Sequence, residues 1–349
     1  MGNYSPVILF IALVFLFFLL GCQTPKPVYS PSVQKNFRSI PDFFSTQWLF
    51  PQGEHKDRFL EYLEFFHFPR KKVQARIVTG SWGRVFSLKF TPTEKRGQVF
   101  IIHGYMAHLG HHSELTQRLL ADQWEVVLID LPGHGLSDGK RFDIDAFSTY
   151  GHVLSSIWLE EESSETPLPR IMIGHSTGAS TILEALLSIP EEHHPSGIIF
   201  GAPLVEMYQR GFRTTVNHLA WSNQIPLPEI FRNPRFMSSG ASCNPEFRTF
   251  ALLGDPLYAW IYSPGWLHAY DHWIKELLHD LNPRYHGPAL VLQGSADTTV
   301  DGMRNEPLLK ILLPKNEYLV FDGYSHTIFN VAPDRLDRVY ERIQTFLPQ

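Results

Sequence analysis

Three polar side chains at separate places in the sequence have the types needed for nucleophilic catalysis. Ser176 lies in the sequence GHSTG, residues 174–178, and Asp297 and His326 follow it in the chain. A serine hydroxyl is a weak nucleophile until a base takes its proton, and a carboxylate orients that base. The three residues therefore predict acyl transfer, with Ser176 as nucleophile, His326 as base and Asp297 as orienting carboxylate.

The sequence around Ser176 predicts a tight turn between a strand and a helix. The apolar run Arg170–Gly174 leads into it, and Ser180–Ile189, with apolar residues near helical spacing, leads out. Such a turn leaves room only for glycine two residues before and after the serine, as at Gly174 and Gly178. A surface turn with accidental glycines is the alternative, which the flanking strand and helix disfavour.

The base and its carboxylate are placed by the ends of two later apolar runs. Asp297 and His326 each follow such a run by five residues, and parallel neighbouring strands end at the same edge of a sheet. Asp301 and Asp322 are rivals of Asp297. We prefer Asp297 because it lies just beyond its strand, whereas Asp301 can end a loop or cap a helix.

The oxyanion of a tetrahedral intermediate needs backbone N–H groups as donors. The amide of Thr177, at the head of the helix after the nucleophile, is one candidate, and the amide of Tyr105, after the third buried strand, is the second. Each such donor typically contributes about 100- to 1,000-fold in rate. We therefore expect an oxyanion hole formed by Tyr105 and Thr177.

Four histidines close to Tyr105 suggest a zinc site as an alternative. They are His103, His108, His111 and His112. Their spacing matches no metallohydrolase signature, and His103 has a role in the geometry of the loop. No metal and no other cofactor is expected.

Eight short apolar runs must position these residues. They are Val73–Val78, Arg84–Phe90, Gln98–Ile102, Glu125–Asp130, Arg170–Gly174, Ile198–Phe200, Ala289–Leu292 and Tyr318–Phe321. Runs of this kind suit strands buried on both faces, and helical stretches such as Pro333–Phe346 lie between or after them. The sequence predicts an α/β fold with a mostly parallel sheet covered by helices on both faces.

Residues 203–283 interrupt this alternation. The interval contains no convincing buried strand and holds half of the eight tryptophans: Trp221, Trp260, Trp266 and Trp273. An insertion of this length is typical of a lid, so we interpret residues 203–283 as a helical cap whose aromatic residues mostly form a small core of their own. Residues 56–202 and 284–349 then form the catalytic core.

The first residues of the sequence predict an export signal. Residues 1–25 lack charged side chains, and Val7–Leu20 is an apolar run of fourteen residues, the length of a signal-peptide core rather than the roughly 20 that span a bilayer. The run ends in Leu-Leu-Gly-Cys at Cys22, which resembles the lipobox of bacterial lipoproteins. The resemblance implies cleavage after residue 21 and lipidation of Cys22; an uncleaved signal anchor is the alternative. Residues 22–55 are interpreted as a tether and N-terminal extension.

Composition excludes several classes of protein. The chain has 349 residues, 44% of them hydrophobic and 19% charged, with a net charge of −5. Such a composition is that of a globular protein and supplies no basic surplus for binding nucleic acid. Two cysteines exclude a disulfide scaffold, and with Cys22 lipidated, Cys243 is expected to be a small buried apolar residue.

Several segments together resemble the α/β-hydrolases of the monoacylglycerol lipase, lysophospholipase and serine-aminopeptidase-like group. They are HGYMAH at 103–108, DLPGHGLSDG at 130–139, the Ser176 motif, LQGSAD at 292–297 and GYSH at 323–326. The resemblance implies the α/β-hydrolase fold with a cap, an ester or amide hydrolase without a metal, and the triad named above. Members of the group usually carry glycine and glutamate where this chain has Met106 and Ala107.

The sequence therefore favours a membrane-tethered serine hydrolase acting on a lipid-like ester, with lysophospholipid or monoacylglycerol as the expected substrate. An aminopeptidase or amidase using the same triad is an alternative, and it needs a cap carboxylate to hold the substrate's amino group. The candidates are Glu206, Glu229, Glu246, Asp255 and Asp271. A non-catalytic lipoprotein that binds ligands is a third. We expect an extracytoplasmic location, in the outer membrane if the source has two membranes, and no obligate protein partner.

Overall fold

An eight-stranded sheet lies at the centre of the computed structural model, which describes residues 28–161, 168–211, 241–258 and 263–348. All eight predicted strands are confirmed. They are β1 (Val73–Gly80), β2 (Gly83–Phe90), β3 (Gly97–Ile102), β4 (Trp124–Ile129), β5 (Arg170–His175), β6 (Gly197–Gly201), β7 (Ala289–Gly294) and β8 (Asn316–Phe321).

The sheet is mostly parallel, as predicted, and its strand order is β1-β2-β4-β3-β5-β6-β7-β8. β1 pairs antiparallel with β2, and β2 pairs antiparallel with β4. Every later pairing is parallel. Because β5, β7 and β8 run in one direction, their C-terminal ends open onto a common edge, where Ser176, Asp297 and His326 follow them.

Helices cover both faces of the sheet. Those of the described ranges are α1 (Pro31–Arg38), α2 (Glu54–Phe65), α3 (Ser113–Ala121), α4 (Ser148–Glu160), α5 (Thr177–Ala185), α6 (Pro245–Thr249), α7 (Pro264–His279), α8 (Gly302–Leu312) and α9 (Pro333–Phe346). α9 has the predicted bounds. α5 begins three residues earlier than the prediction, directly after the nucleophile, and ends four residues earlier, where the chain continues as turns.

The predicted N-terminal extension packs into the core from its first helix onwards. Phe37 and Ile40 are fully buried in the same apolar cluster as the β3 residues Val99 and Ile101. Phe37 also contacts the ring of Tyr62 on α2, with ring centroids 5.4 Å apart. The boundary expected at residue 55 is therefore not a boundary in packing, because apolar side chains on both sides of it share one core. Residues 1–27, which include the predicted signal peptide and Cys22, lie outside the described residues.

The segment predicted to be a cap is described in part, by residues 203–211, 241–258 and 263–283. Trp266 and Trp273, on α7, do not form a separate cap core as expected. They join the main apolar cluster, where Trp273 stacks on Phe147 at 4.9 Å between ring centroids, because α7 packs directly against the catalytic domain. Trp221 and Trp260 lie outside the described residues. Within the described ranges, none of the helices has the length and apolar character needed to cross a bilayer.

Candidate active site

The turn that carries Ser176 has the strained geometry expected of a nucleophile. Ser176 has φ 51° and ψ −114°, a conformation that non-glycine residues rarely adopt. A Cβ on Gly174 would lie 2.6 Å from the amide nitrogen of Ala179, and one on Gly178 would lie 2.1 Å from the carbonyl oxygen of Ile102. The steric requirement for glycine at both positions is thus confirmed. The backbone thus holds Ser176 at the N-cap of α5.

Asp297 and His326 are in direct contact. Oδ2 of Asp297 lies 2.9 Å from Nδ1 of His326, and the Asp297 side chain is almost fully buried. Its other oxygen, Oδ1, accepts hydrogen bonds from the amides of Thr299 at 2.7 Å and Val300 at 3.1 Å. Burial alone would raise the pKa of Asp297, but His326 and these two amides outweigh it, so that pKa is lowered. Asp297 is therefore an ionised acceptor that fixes the ring of His326.

The two rival aspartates have other partners. Asp301 is the N-cap of α8, where its carboxylate accepts a hydrogen bond from the amide of Arg304 at 3.2 Å. The hypothesis that it caps a helix is confirmed. Asp322 accepts a hydrogen bond from the hydroxyl of Ser295 at 3.0 Å. Of the three candidates, the structure brings only Asp297 to His326.

The contact with Asp297 uses only one of the two ring nitrogens of His326. With Nδ1 engaged by Asp297, Nε2 is the nitrogen that can accept a proton. Within the described part of the chain, the Ser176 hydroxyl makes no hydrogen bond to that nitrogen. The main chain of Ser176 donates to the Gly201 carbonyl and accepts from the amides of Ala179 and Leu204. Such bonds are often long in unliganded enzymes and shorten when substrate binds.

The loop that carries Tyr105 lies against the nucleophile. A Cβ on Gly104 would lie 2.9 Å from Nδ1 of His175 and 3.1 Å from Cβ of Ser176. His103 fixes the loop from behind, because its Nδ1 donates to the Gly104 carbonyl at 2.8 Å and its Nε2 accepts from the Leu131 amide at 2.9 Å. This bonding gives His103 the role in loop geometry predicted for it, and its ring is buried and neutral.

The second oxyanion candidate, Thr177, directly follows Ser176 in the chain. Thr177 is the first residue of α5, where a helix has no acceptor of its own for the main-chain N–H. The residue after Tyr105, Met106, has φ 64°, in the left-handed region that favours glycine. A glycine, which the family resemblance implies at this position, would adopt this conformation without strain. The loop of Tyr105 and the start of α5 thus both adjoin Ser176.

Two of the four neighbouring histidines meet a carboxylate from the cap, a contact that the sequence did not predict. Nε2 of His108 and Nε2 of His111 lie 2.8 and 2.7 Å from the same oxygen of Asp255. The amide of Gly110 donates to Nδ1 of His108, so the proton of that ring lies on Nε2. A histidine that bound a metal through Nε2 would need a lone pair on that atom. His108, His111 and Asp255 thus form a buried hydrogen-bonded network that joins the segment predicted to be a cap to the Tyr105 loop.

Apolar residues surround the outer side of the Tyr105 loop. Met106, Phe142 and Tyr258 form a small buried cluster, and the ring of Tyr105 stacks on Trp266 of α7 at 3.9 Å between centroids. The hydroxyl of Tyr105 donates to the Phe142 carbonyl at 2.8 Å. The loop is therefore held between the cap and the turn after β4, in surroundings suited to an apolar group.

Cys243 differs from its prediction as a buried apolar residue. It is half-buried, its amide donates to the Ser325 hydroxyl at 2.6 Å, and its Sγ lies 3.5 Å from Nη1 of Arg335. Burial opposes ionisation of the thiol, but the contacts with Ser325 and Arg335 outweigh it and lower the pKa of Cys243. The segment before α6 thus rests on the loop that carries His326.

Comparison with known proteins agrees with this arrangement. The model of the family described as serine aminopeptidase, S33, matches residues 93–331. The chain is 26% identical over 253 residues to a monoglyceride lipase of Rattus norvegicus, which covers 71% of this chain and 81% of that one. It is 26% identical over 258 residues to the phospholipase YtpA of Bacillus subtilis, covering 72% and 95%. A monoacylglycerol lipase of Mycolicibacterium smegmatis is 31% identical over 120 residues, 34% of this chain and 42% of that enzyme's length.

Solved structures show the same fold. A monoglyceride lipase from Saccharomyces cerevisiae superposes with a TM-score of 0.62 at 18% identity, over 78% of this chain and 94% of that one. A monoacylglycerol lipase from Paleococcus ferrophilus gives a TM-score of 0.60 at 21% identity, over 74% and 96%. The family match covers most of the chain, and the fold agrees with it. The chain belongs to the serine aminopeptidase, S33 family of the α/β-hydrolases.

Proposed function

We propose that this protein is a serine hydrolase that cleaves a carboxylic ester of a lipid-like substrate, either a lysophospholipid or a monoacylglycerol. The observation that carries the proposal is the contact between Asp297 and His326 beside the strained turn of Ser176. A buried carboxylate, an imidazole in contact with it and a serine hydroxyl at a helix N-terminus are the groups that acyl transfer requires.

In the proposed reaction, Nε2 of His326 takes the hydroxyl proton as Ser176 Oγ bonds to the ester carbonyl carbon. The carbonyl oxygen becomes an oxyanion held by the amides of Tyr105 and Thr177. The ester bond then breaks, and the alcohol leaves with the proton from His326. Water, deprotonated by His326, attacks the acyl-enzyme and releases the carboxylic acid and free Ser176.

An apolar acyl chain is supported by the residues beside the oxyanion loop. Met106, Phe142 and Tyr258 are apolar or aromatic and largely buried, and Leu252 packs on them from the cap. Such a lining favours a hydrocarbon chain over a charged group. The relatives named as monoglyceride lipases and as a phospholipase point to the same class of substrate.

An aminopeptidase on the same triad is the second candidate, and it finds little support among the cap carboxylates. Asp255 is bound by two histidines, Glu206 pairs with Arg210 at 2.7 Å, and Asp271 hydrogen-bonds to Lys275. Glu246 is exposed, and Glu229 lies outside the described residues. Since an ammonium substrate needs a carboxylate without another cation, the described cap favours esters over amino-terminal amides.

The test combines covalent labelling with a substrate panel. A fluorophosphonate probe should label the wild-type protein by forming an O–P bond at Ser176 with loss of fluoride, and Ser176→Ala should not be labelled. Folded wild-type protein that resists labelling would favour a non-catalytic binding module. Hydrolysis of lysophospholipid, monoacylglycerol, short aryl esters and aminoacyl arylamides then separates the enzyme candidates, since faster turnover of the arylamides would favour the aminopeptidase.

We also propose that the chain is tethered to a membrane through a diacylglycerol on Cys22, at an extracytoplasmic face. The support is the sequence alone: the apolar run Val7–Leu20 followed by Leu-Leu-Gly-Cys. Mass spectrometry of the protein from its native membrane should show a lipid-modified N-terminal Cys22. An intact Met1 terminus would contradict the tether.

A further inference from the structure

A cleft of about 310 Å³ opens between the end of α1 and the loop after β4. Its charged lining consists of Arg38, Arg84, Arg141 and Asp138, which gives it a net charge of +2. The protein as a whole has a net charge of −5, so the positive charge of the cleft is opposite in sign to the net charge of the chain. None of these residues belongs to the proposed catalytic machinery.

One arginine of the cleft is neutralised by carboxylates. Nε and Nη2 of Arg84 lie 3.0 and 3.2 Å from the two oxygens of Asp138, and Nη1 lies 2.9 Å from Asp42. The amide of Arg84 also donates to Asp138 at 3.1 Å. Asp138 therefore uses both of its oxygens on Arg84 and has little capacity left for another cation.

The other two arginines have no ion pair within the described ranges. The hydrogen bond of Arg141 there is a long one, 3.4 Å from Nη1 to the carbonyl oxygen of Gly133. Burial and the nearby charge of Arg38 lower the pKa of Arg141 to about 10, although Asp130 and Asp138 partly offset this. Two cations thus share one cleft and repel each other, an arrangement that an anion would stabilise.

We propose that Arg38 and Arg141 form a binding site for a phosphate group. The planar guanidinium donates two parallel hydrogen bonds to a phosphate, and two guanidinium groups can hold one phosphate through separate oxygens. The volume of the cleft is at the lower end for small-ligand sites, which is sufficient for a phosphate with part of its ester substituent.

The phosphate could come from a phospholipid head group or from a soluble phosphate. α1 begins nine residues after Cys22, so at full extension of the chain an anchor there would keep the start of α1 within about 30 Å of the bilayer. The cleft lies at the other end of this eight-residue helix, about 12 Å further on. The proposal itself does not depend on hydrolase activity or on the anchor. The experiment has one arm for each source.

In the first arm, the full-length protein is titrated with inorganic phosphate at low ionic strength, with chloride at equal ionic strength as reference. The double variant Arg38→Gln/Arg141→Gln should bind phosphate at least about tenfold more weakly, the loss expected from removing charge-assisted hydrogen bonds. Lys35→Gln is the matched control, since Lys35 lies on the same helix but does not line the cleft. It should bind as the wild type does.

In the second arm, binding to phosphatidylcholine vesicles is compared with binding to vesicles that also contain phosphatidylglycerol. A preference for the anionic vesicles that the double variant loses and Lys35→Gln keeps assigns the site to lipid head groups. Phosphate binding lost in the double variant without a change in vesicle preference assigns it to soluble phosphate. If the double variant matches the wild type in both arms while circular dichroism shows it folded, the phosphate site is overturned.

Discussion

The side chain of His175 is bonded to the main chain of His326, with Nε2 2.9 Å from the carbonyl oxygen. Burial lowers the pKa of His175 to about 3, so the ring is neutral, and its one proton lies on the nitrogen that donates this bond. The residue before the proposed nucleophile therefore holds the residue proposed as its base. This bond joins the end of β5 to the loop after β8.

Replacing His175 tests whether this bond positions His326. His175→Phe keeps a ring and removes the donor, so the loop of His326 can shift, and we expect kcat for ester hydrolysis to fall about 10- to 100-fold with little change in KM. His175→Gln, which retains a donor, should recover part of the loss. An unchanged kcat in His175→Phe would show that the bond has no role in positioning the base.

Asp297→Asn should lower kcat by about 10⁴-fold while leaving the fold intact. The amide that replaces the carboxylate can donate to Nδ1 of His326, which would move the ring proton to Nε2 and prevent it from accepting the proton of Ser176. Steady-state ester hydrolysis measures the effect. Asp301→Asn and Asp322→Asn are matched controls, because both aspartates contact other partners, and each should retain activity within a few-fold of the wild type.

Gly104→Ala should damage the oxyanion hole. The added Cβ would lie 2.9 Å from the His175 ring and 3.1 Å from Cβ of Ser176, so the Tyr105 loop must move away from the nucleophile. Loss of one oxyanion donor typically costs about 100-fold or more in kcat, and we expect a decrease of that order. Gly211→Ala is the control, since a Cβ there meets no atom of the described residues within 4 Å. Equal rates for the two variants would exclude this loop from the oxyanion site.

The strands and the Asp297–His326 contact could be predicted because each depends on local sequence. Buried parallel strands give continuous apolar runs, and a residue just past such a run lies at the edge of the sheet. The position of β4 between β2 and β3 could not be predicted from the sequence, because the apolar runs of these three strands are similar and do not indicate which strands pair. Pairing order is decided by packing across the whole sheet.

The partner of His108 and His111 could not be predicted either. Asp255 is separated from them by 147 and 144 residues, and no periodic pattern leads into it. Asp255 is one of the five cap carboxylates that the sequence offered for binding a substrate amine. Only the packing of the cap on the Tyr105 loop assigns it to a buried network, because that packing excludes water from all three side chains.

Asp255→Asn should loosen the cap. Oδ2 accepts from two histidines and Oδ1 accepts from the Leu257 amide at 2.8 Å, and an amide side chain cannot satisfy all three donors. We expect the free energy of unfolding to fall by about 3 kcal/mol in urea denaturation at pH 7. Hydrogen exchange should rise in both segments that the network joins, residues 104–112 and 250–257.

The pH dependence of this loss follows from the lowered pKa of Asp255, for which the two histidines outweigh burial. The contribution of the carboxylate is complete above its unfolded pKa of about 3.9 and is lost as the pH falls towards the folded value. The penalty of Asp255→Asn should nevertheless grow from pH 7 to about pH 5, because burial lowers the pKa of His108 and Asp255 is the main group that raises it again. Without the carboxylate, the unfolded chain binds a proton at His108 that the folded chain does not. Asp337→Asn is the control, because its pair with Arg118 is largely exposed. A comparable penalty in both variants would contradict a special role for Asp255.

His112 supplies a prediction with the opposite character, because its removal should stabilise the protein. Both ring nitrogens are buried and have no hydrogen-bond partner within the described residues, and burial lowers the pKa of His112 well below its ordinary value. The unfolded chain therefore binds a proton below about pH 6.5 that the folded chain does not, and stability decreases as the pH falls through this range. His112→Leu should raise the free energy of unfolding by about 1 kcal/mol at pH 7. Urea denaturation between pH 6.5 and pH 4.5 measures how the free energy of unfolding declines with pH. The decline should be shallower in His112→Leu than in the wild type, by up to about 1.4 kcal/mol per pH unit. Identical slopes for the two proteins would show that His112 is protonated in the fold.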